Sequence, residues 1–108
     1  DLLELTPSLV RYANLKVEKG ILISSVEKGS YAEDAGLKGG NKDRGIRYQN
    51  SIKYLGGDII TNLNDFKIET LSDLFSALED TKPGESVNLE YIRNNKLIKT
   101  KIKLSARK

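Results

Sequence analysis

Short blocks of hydrophobic and polar residues follow one another along this chain, and their periods predict more strand than helix. Two runs are mainly apolar and rich in β-branched residues, which indicates buried strands. Two later runs alternate apolar and polar positions on either side of a polar turn, which predicts a hairpin. The predicted strands are residues 21–26, 58–63, 86–92 and 97–104, with a brief further strand at Lys67 and Ile68.

Three helices are predicted, each opened by a hydroxyl side chain suited to capping a first turn: after Thr6, after Ser30 and after Thr70. The third is the longest, roughly residues 71–80, and four apolar residues share one of its faces: Leu71, Leu74, Phe75 and Leu78. The strands are short, and no regular β–α–β alternation occurs. This pattern favours a small, partly open barrel of the α+β class, mainly β, over a doubly wound sheet.

The chain has 108 residues, a length that supports one domain with a small core. We therefore treat residues 1–108 as a single domain. Within it, residues 38–57 hold five glycines among polar and charged residues, and they predict a long loop or hairpin insert. No run approaches the roughly 18 consecutive apolar residues of a membrane-spanning helix, so we expect no membrane span.

The composition removes several kinds of chemistry. The sequence has no His and no Cys, so it lacks the commonest general base and every thiolate nucleophile or ligand. A complete Ser-His-Asp hydrolase is excluded, and we assign no catalytic residue. Neither a calcium loop nor a phosphate-binding glycine motif is present, so we expect no cofactor and no metal. Helix capping and solubility account for four acidic residues: Glu33, Asp34, Asp58 and Asp73.

Basic residues are concentrated at the end of the chain. Of the 18 Lys and Arg residues, seven lie in residues 93–108, which contain no acid. Their alternation with apolar residues is typical of the solvated face of a strand. The alternative is a nucleic-acid or anionic-surface module that uses Lys99, Lys101, Lys103, Arg107 and Lys108. No aromatic residue follows Tyr91 to stack on bases, so we expect no nucleic-acid partner.

Several segments, read in order, carry a resemblance to a known family. They are Leu5-Thr6-Pro7-Ser8-Leu9, Gly20-Ile21-Leu22-Ile23, the run from Gly29 to Leu37, Gly57-Asp58-Ile59-Ile60, Lys82-Pro83-Gly84-Glu85 and the closing hairpin. Together they resemble a bacterial-type PDZ domain, with the PDZ domains of HtrA/Deg-type (trypsin-like, Do-like) serine proteases as nearest kin. The insert at 38–57 is similar to inserts in some Deg-type PDZ domains.

The resemblance implies a partly open β-barrel of five to six strands with two to three short helices, in the bacterial-type strand order. It also implies that a peptide C-terminus adds a strand between a sheet edge and a helix. On matching positions the peptide-binding groove comprises Leu2, Leu3, Glu4, Leu71, Phe75 and Leu78. The family's carboxylate-binding loop is expected just before Asp1, so we expect it to be truncated. Tyr54-Leu55-Gly56 imitates that loop but lies in the insert.

The resemblance places the chemistry in another part of a parent protein. It implies a trypsin-like serine endopeptidase of envelope protein quality control whose triad lies outside these residues, so we do not expect this chain itself to be an enzyme. The implied partners are peptide or protein C-termini, unfolded substrates and an upstream protease domain. A periplasmic or envelope location in a bacterium, and a parent that is trimeric or larger, are implied on the same ground.

Two alternatives stay open. One is a PDZ domain used for scaffolding or secretion with no protease attached. The other is the anionic-surface module that uses the basic end of the chain. A PDZ domain of a membrane-embedded or tail-specific protease is a third alternative, which the long insert disfavours.

Overall fold

A computed structural model describes residues 1–82 and 84–103, without the side chain of Tyr31. In that part of the chain eight strands and three α-helices follow one another, with a short 3₁₀-helix at Lys42–Arg44. The strands are β1 (Leu2–Glu4), β2 (Ile21–Ile23), β3 (Gly45–Tyr48), β4 (Ser51–Tyr54), β5 (Ile59–Leu63), β6 (Phe66–Lys67), β7 (Ser86–Arg93) and β8 (Lys96–Lys103). The helices are α1 (Pro7–Tyr12), α2 (Tyr31–Asp34) and α3 (Leu71–Glu79).

Six of the strands form one antiparallel sheet in the order β1-β2-β5-β7-β8, with β6 pairing with β5. The remaining two, β3 and β4, form a separate hairpin. The large sheet is partly open and does not close into a barrel. The predicted fold class, mainly β with a few short helices, is confirmed.

The sheet has an apolar cluster on each face, because successive strand residues point to opposite sides. The first cluster lies under α3 and includes Ile21, Ile23, Ile60, Leu63, Leu74, Ala77 and Leu89. The second cluster lies under α1 and includes Leu3, Leu9, Leu22, Leu55 and Ile59. Residues adjacent in sequence therefore pack into different clusters: Ile59 into the second and Ile60 into the first.

Side-chain caps start the helices as the sequence predicts. The Thr6 hydroxyl accepts a hydrogen bond from the Leu9 N–H at 3.1 Å, with proline in the first turn of α1. Before α3, Thr70 and Asp73 form a reciprocal capping box. These contacts satisfy main-chain N–H groups that a helix start leaves unpaired.

The strand predicted at 21–26 ends early, at Ile23. The reason lies at Ser24, whose polar groups bond outside the β2–β5 ladder. Its carbonyl accepts a hydrogen bond from the N–H of Gly40 at 2.8 Å, and its hydroxyl accepts one from the N–H of Tyr54 at 2.8 Å. Ser24 therefore fastens the insert to the sheet where a longer strand was predicted.

Within residues 38–57 the chain forms the 3₁₀-helix and the β3–β4 hairpin. A two-residue turn joins the strands, and both of its residues have positive φ, 48° at Gln49 and 66° at Asn50. That pair of angles is typical of a type I′ turn, which suits the right-handed twist of a hairpin.

The assignment of Asp58 to solubility is wrong. Its side chain is only 1% exposed and receives two hydrogen bonds from Arg93, at 2.8 and 2.7 Å. A buried carboxylate needs such a partner, because removing a charge from water is costly. Pro83, the predicted strand end Leu104 and the basic residues Arg107 and Lys108 lie outside the described residues.

Candidate functional site

A cavity of about 450 Å³ opens between β1, α2 and α3 on the face of the first cluster, and we call it the apolar groove. Aliphatic side chains from β1, β2, α3 and β7 supply much of its wall: Leu2, Ile23, Leu74, Leu78 and Val87. The few polar residues at it are Ser30, Thr81 and Lys82. A space of this size and chemistry suits apolar side chains of a ligand.

The strand β1 stands at one end of the sheet and pairs only with β2 among the described strands. Its main-chain groups on the other edge are therefore not part of the sheet ladder. A carboxylate oxygen of Glu4 accepts a hydrogen bond from the N–H of Leu71 at 2.7 Å, at the first turn of α3. This bond fixes the start of α3 beside β1.

The three predicted groove residues on β1 occupy different surroundings. Leu2 is half-buried and lines the apolar groove. Leu3 points to the opposite face of the sheet and is buried in the second cluster, so only its main chain belongs to the groove edge. Glu4 makes the bond to α3 described above.

The three predicted groove residues on α3 also differ. Leu78 lines the apolar groove and is 38% exposed. Leu71 is half-buried and packs against the first cluster. Phe75 is 53% exposed and is not among the residues that line the cavity.

Sequence reasoning did not assign most of the groove wall. Leu74 shares the apolar face of α3, and Val87, Leu89 and Ile102 alternate with polar residues on β7 and β8, so their pattern marked them as core. Another part of the wall comes from the region of α2, with Ala32, Ala35 and Leu37. These residues are far apart in sequence, and only the fold brings them together.

The buried pair Asp58–Arg93 positions the segment that supplies Leu37 to the wall. Arg93 also donates to the carbonyl of Gly36 at 2.9 Å, and the N–H of Lys38 donates to Asp58 at 2.8 Å. Both residues that flank Leu37 are therefore held by one ion pair. The hydrogen bond to Asp58 raises the pKa of Arg93 above its usual range, so the guanidinium stays charged.

The groove is formed by a strand edge, a helix and mainly aliphatic side chains. No cluster of three or more acidic side chains suited to a metal ion occurs among the residues that the structure describes. Within the same residues, no helix has the length and apolar character needed to cross a membrane. An open strand edge beside a helix, with an aliphatic cavity between them, is the geometry used to bind an extended peptide as an added strand.

This fold is that of a PDZ domain. The family model described as PDZ domain matches residues 9–104, so the chain belongs to that family. The resemblance to PDZ domains of HtrA/Deg-type serine proteases is confirmed by the relatives that the chain matches.

The chain is 30% identical over 101 residues, 94% of its length, to the periplasmic pH-dependent serine endoprotease DegQ of Escherichia coli K12. It is 31% identical over 103 residues, 95% of its length, to a probable periplasmic serine protease do/HhoA-like of Haemophilus influenzae. To the serine protease Do-like HtrA of Bacillus subtilis it is 36% identical over 90 residues, 82% of its length. The matches cover 18%, 18% and 16% of these relatives, so the chain spans less than a fifth of their length.

Proposed function

We propose that this PDZ domain binds the C-termini or extended segments of substrate or regulatory proteins by strand addition at β1. The observation that carries the proposal is the aliphatic groove between the open edge of β1 and α3. A peptide added there pairs its main chain with β1 and places alternate side chains against the groove.

The size and charge of the groove support an apolar ligand side chain. Its volume, about 450 Å³, lies within the range of about 300–1,000 Å³ found for small-ligand pockets. No carboxylate is among its lining residues, and Lys82 at its rim carries positive charge. We propose Leu2, Leu3, Glu4, Leu71, Phe75 and Leu78 as groove residues, with Leu2 and Leu78 in direct contact with the ligand.

We propose that the domain serves an attached serine endopeptidase by tethering substrates or sensing unfolded proteins. The three relatives above are all named as serine proteases, and two of their names include the word periplasmic. On this basis the catalytic triad lies outside the chain, and the location is the periplasm or envelope. The parent assembles as a trimer or larger oligomer in this proposal.

Isothermal titration calorimetry with peptides that end in apolar residues tests the binding function. Leu78→Glu places a charge in the apolar groove, where it loses hydration without gaining a partner. We expect the affinity to fall by about tenfold or more, which corresponds to about 1.4 kcal/mol. The matched control is Leu97→Glu, because Leu97 is 53% exposed and does not line the groove.

Two comparisons complete the experiment. The peptide affinity of Phe75→Glu shows whether Phe75, which the resemblance assigns to the groove, contributes to binding. The affinity of a chain extended upstream of Asp1 shows the contribution of the expected carboxylate-binding loop. Equal affinities for Leu78→Glu and Leu97→Glu, with both variants folded by circular dichroism, would refute binding in the groove. Absence of binding by both the 108-residue and the extended chain would refute the proposed function as a whole.

A further inference from the structure

A second, smaller cavity of about 170 Å³ opens on the face of the sheet opposite the apolar groove. Part of its floor is apolar, with Leu22, Leu55 and Ile59 from the second cluster. Its polar lining comes from the 3₁₀-helix, the end of the insert and the β7–β8 turn: Arg44, Gly56, Gly57, Asn94 and Asn95. We call this space the polar cavity.

The main chain holds Arg44 at the polar cavity. The N–H of Arg44 donates to the carbonyl of Asn41 at 2.9 Å, and its own carbonyl accepts from the N–H of Leu55 at 3.0 Å. The guanidinium lies over Gly56, with Nη1 3.0 Å from where a Cβ on that glycine would be. Gly56 has a φ of +95°, a conformation suited to glycine.

Hydrogen-bond donors at this cavity have no acceptor within residues 1–82 and 84–103. The guanidinium of Arg44 makes no ion pair or hydrogen bond with these residues. The N–H groups of Gly56 and Gly57 likewise have no partner in this part of the chain. Successive main-chain N–H groups beside a positive-φ residue form the kind of concave surface that binds anions.

The charges around the polar cavity favour an anion. None of its lining residues is acidic. Asp43 precedes Arg44 in the 3₁₀-helix but forms no ion pair with it among the described residues. Asp58, next to Gly57, is engaged by Arg93 and by the N–H of Lys38, so neither carboxylate neutralises Arg44. One positive charge therefore faces the cavity without a negative partner among the described residues.

We propose that the polar cavity binds a carboxylate group, held by the Arg44 guanidinium and the main chain of Gly56 and Gly57. One guanidinium matches the single charge and two oxygens of a carboxylate, whereas a phosphate group carries about −1.5 to −2. The apolar floor takes a short aliphatic segment beside the carboxylate. Pockets for drug-sized ligands have volumes of about 300 Å³ or more. The polar cavity is smaller than this, so the bound group is small.

The carboxylate belongs either to a polypeptide C-terminus or to an Asp or Glu side chain of another protein. Titrations of the ¹⁵N-labelled chain, followed by NMR, distinguish the two sources. The first probe is N-acetyl-Ala-Val with a free C-terminus, and the second is N-acetylglutamate α-amide. The stronger binder of the two identifies the source of the carboxylate, and the C-terminal amide of the first probe is the uncharged control.

We expect saturable shifts of the Gly56 and Gly57 amide signals and of the Arg44 Nε signal with a carboxylate probe, and none with the amide control. Arg44→Gln should weaken binding by about tenfold, as expected for losing a hydrogen bond to a charged group. Lys42→Gln is the matched control, since Lys42 lies in the same 3₁₀-helix, carries the same charge and does not line the cavity. Arg44→Lys keeps the charge without the two-donor fork and should bind with intermediate affinity.

The proposal is overturned if the amide control gives the same shifts, if Arg44→Gln binds as well as Lys42→Gln, or if inorganic phosphate binds more tightly at equal ionic strength. Signals from β5 and β7 in the same spectra report whether each variant is folded. Leu78→Glu separates this site from the apolar groove. In this variant, the carboxylate probe should shift the Gly56 and Gly57 amide signals as in the parent, even though binding in the apolar groove is lost.

Discussion

Asp58 shows how one buried residue can organise several segments. Its carboxylate receives hydrogen bonds from Arg93 and from the N–H of Lys38, while Arg93 also reaches the carbonyl of Gly36. The side chain of Arg93 is 26% exposed, so its own charge is partly hydrated, whereas that of Asp58 is 1% exposed. Loss of either partner affects the strands β5 and β7 and the wall of the apolar groove together.

We predict that Asp58→Ala destabilises the domain by about 3 kcal/mol, because both Arg93 and the N–H of Lys38 lose their buried acceptor. Urea unfolding followed by circular dichroism measures the change. Lys67→Ala is the control, since the Lys67–Glu69 pair is 3.6 Å apart and largely exposed, and its loss should cost less than about 1 kcal/mol. Similar costs for the two variants would contradict a structural role of the buried pair.

The local sequence pattern does not predict this ion pair, for a physical reason. Asp58 and Arg93 are separated by 35 positions, and the charge of each was read from its neighbours in the chain. Arg93 was accordingly counted with the basic end of the chain. Its charge is instead compensated by Asp58, which only the pairing of β5 with β7 reveals.

The helix α3 depends on a capping box in which Asp73 acts as acceptor. Its carboxylate accepts hydrogen bonds from the N–H of Glu69 at 3.0 Å and of Thr70 at 3.1 Å. The bond from Glu69 is the main cause that lowers the pKa of Asp73 below its ordinary value of 3.8, with the Thr70 bonds adding to it and burial opposing it. The ionised form is therefore the one that stabilises the start of α3.

A pH dependence follows for this helix. Because the folded-state pKa of Asp73 is lowered, its contribution to stability is present above the unfolded value of about 3.8 and is lost as pH falls through the folded value. We predict that Asp73→Asn is less stable than the parent near neutral pH and that this difference shrinks below pH 4. Urea unfolding at several pH values checks this.

Asp80→Asn provides the control at the other end of α3. It removes the same charge from the C-cap, where a negative charge opposes the helix dipole, so it should be neutral or slightly stabilising. A stability difference for Asp73→Asn that stays constant from pH 7 to pH 2 would contradict the role of the ionised carboxylate.

The sequence predicts helix starts more accurately than strand ends. Helix starts depend on contacts between residues close in sequence, whereas strand ends depend on contacts between residues far apart in sequence. The caps at Thr6 and Thr70 act within three or four residues and can be read from sequence. The end of β2 at Ile23 depends on hydrogen bonds between Ser24 and residues 40 and 54, which are distant in sequence and therefore absent from the local pattern. The strand β1 was suggested only by family resemblance, since three residues give no usable period.

The whole molecule combines a well-packed sheet with a more lightly attached hairpin. The strands β2, β5 and β7 each pair on both sides and carry the buried residues of two clusters. The hairpin pairs with itself alone in the sheet topology, and most of its side chains are exposed or half-buried. Stability is therefore expected to be uneven across the fold.

Native-state hydrogen exchange should reveal this difference. We predict that main-chain amides of β5 and β7 exchange slowest, through global unfolding, while those of β3 and β4 exchange faster through local opening. Lys53→Ala removes the 2.6 Å ion pair to Asp1 and should accelerate exchange in the hairpin with little change in β7. Equal protection of hairpin and sheet would show that the insert unfolds only with the whole domain.

The apolar groove is formed by residues from many parts of the chain, so its full lining is difficult to predict from sequence. Its wall combines Leu2, Leu37, Leu78 and Ile102, which lie on separate elements spread over the chain. The resemblance pointed to β1 and α3 because it carried information about the fold, and the structure places Leu2 of β1 and Leu78 of α3 at this cavity. No family resemblance predicted the polar cavity, because its hydrogen-bond donors come from the insert and from a turn.

The two ends of the large sheet differ in a way that bears on solubility. On β8, the last strand of the sheet, Lys99, Lys101 and Lys103 are exposed and alternate with half-buried residues. Lysines along an outer strand discourage two copies of a protein from joining edge to edge, because the like charges repel as the strands approach. Growth of the sheet into aggregates is thereby opposed at β8, whereas β1, at the opposite end of the sheet, carries no lysine.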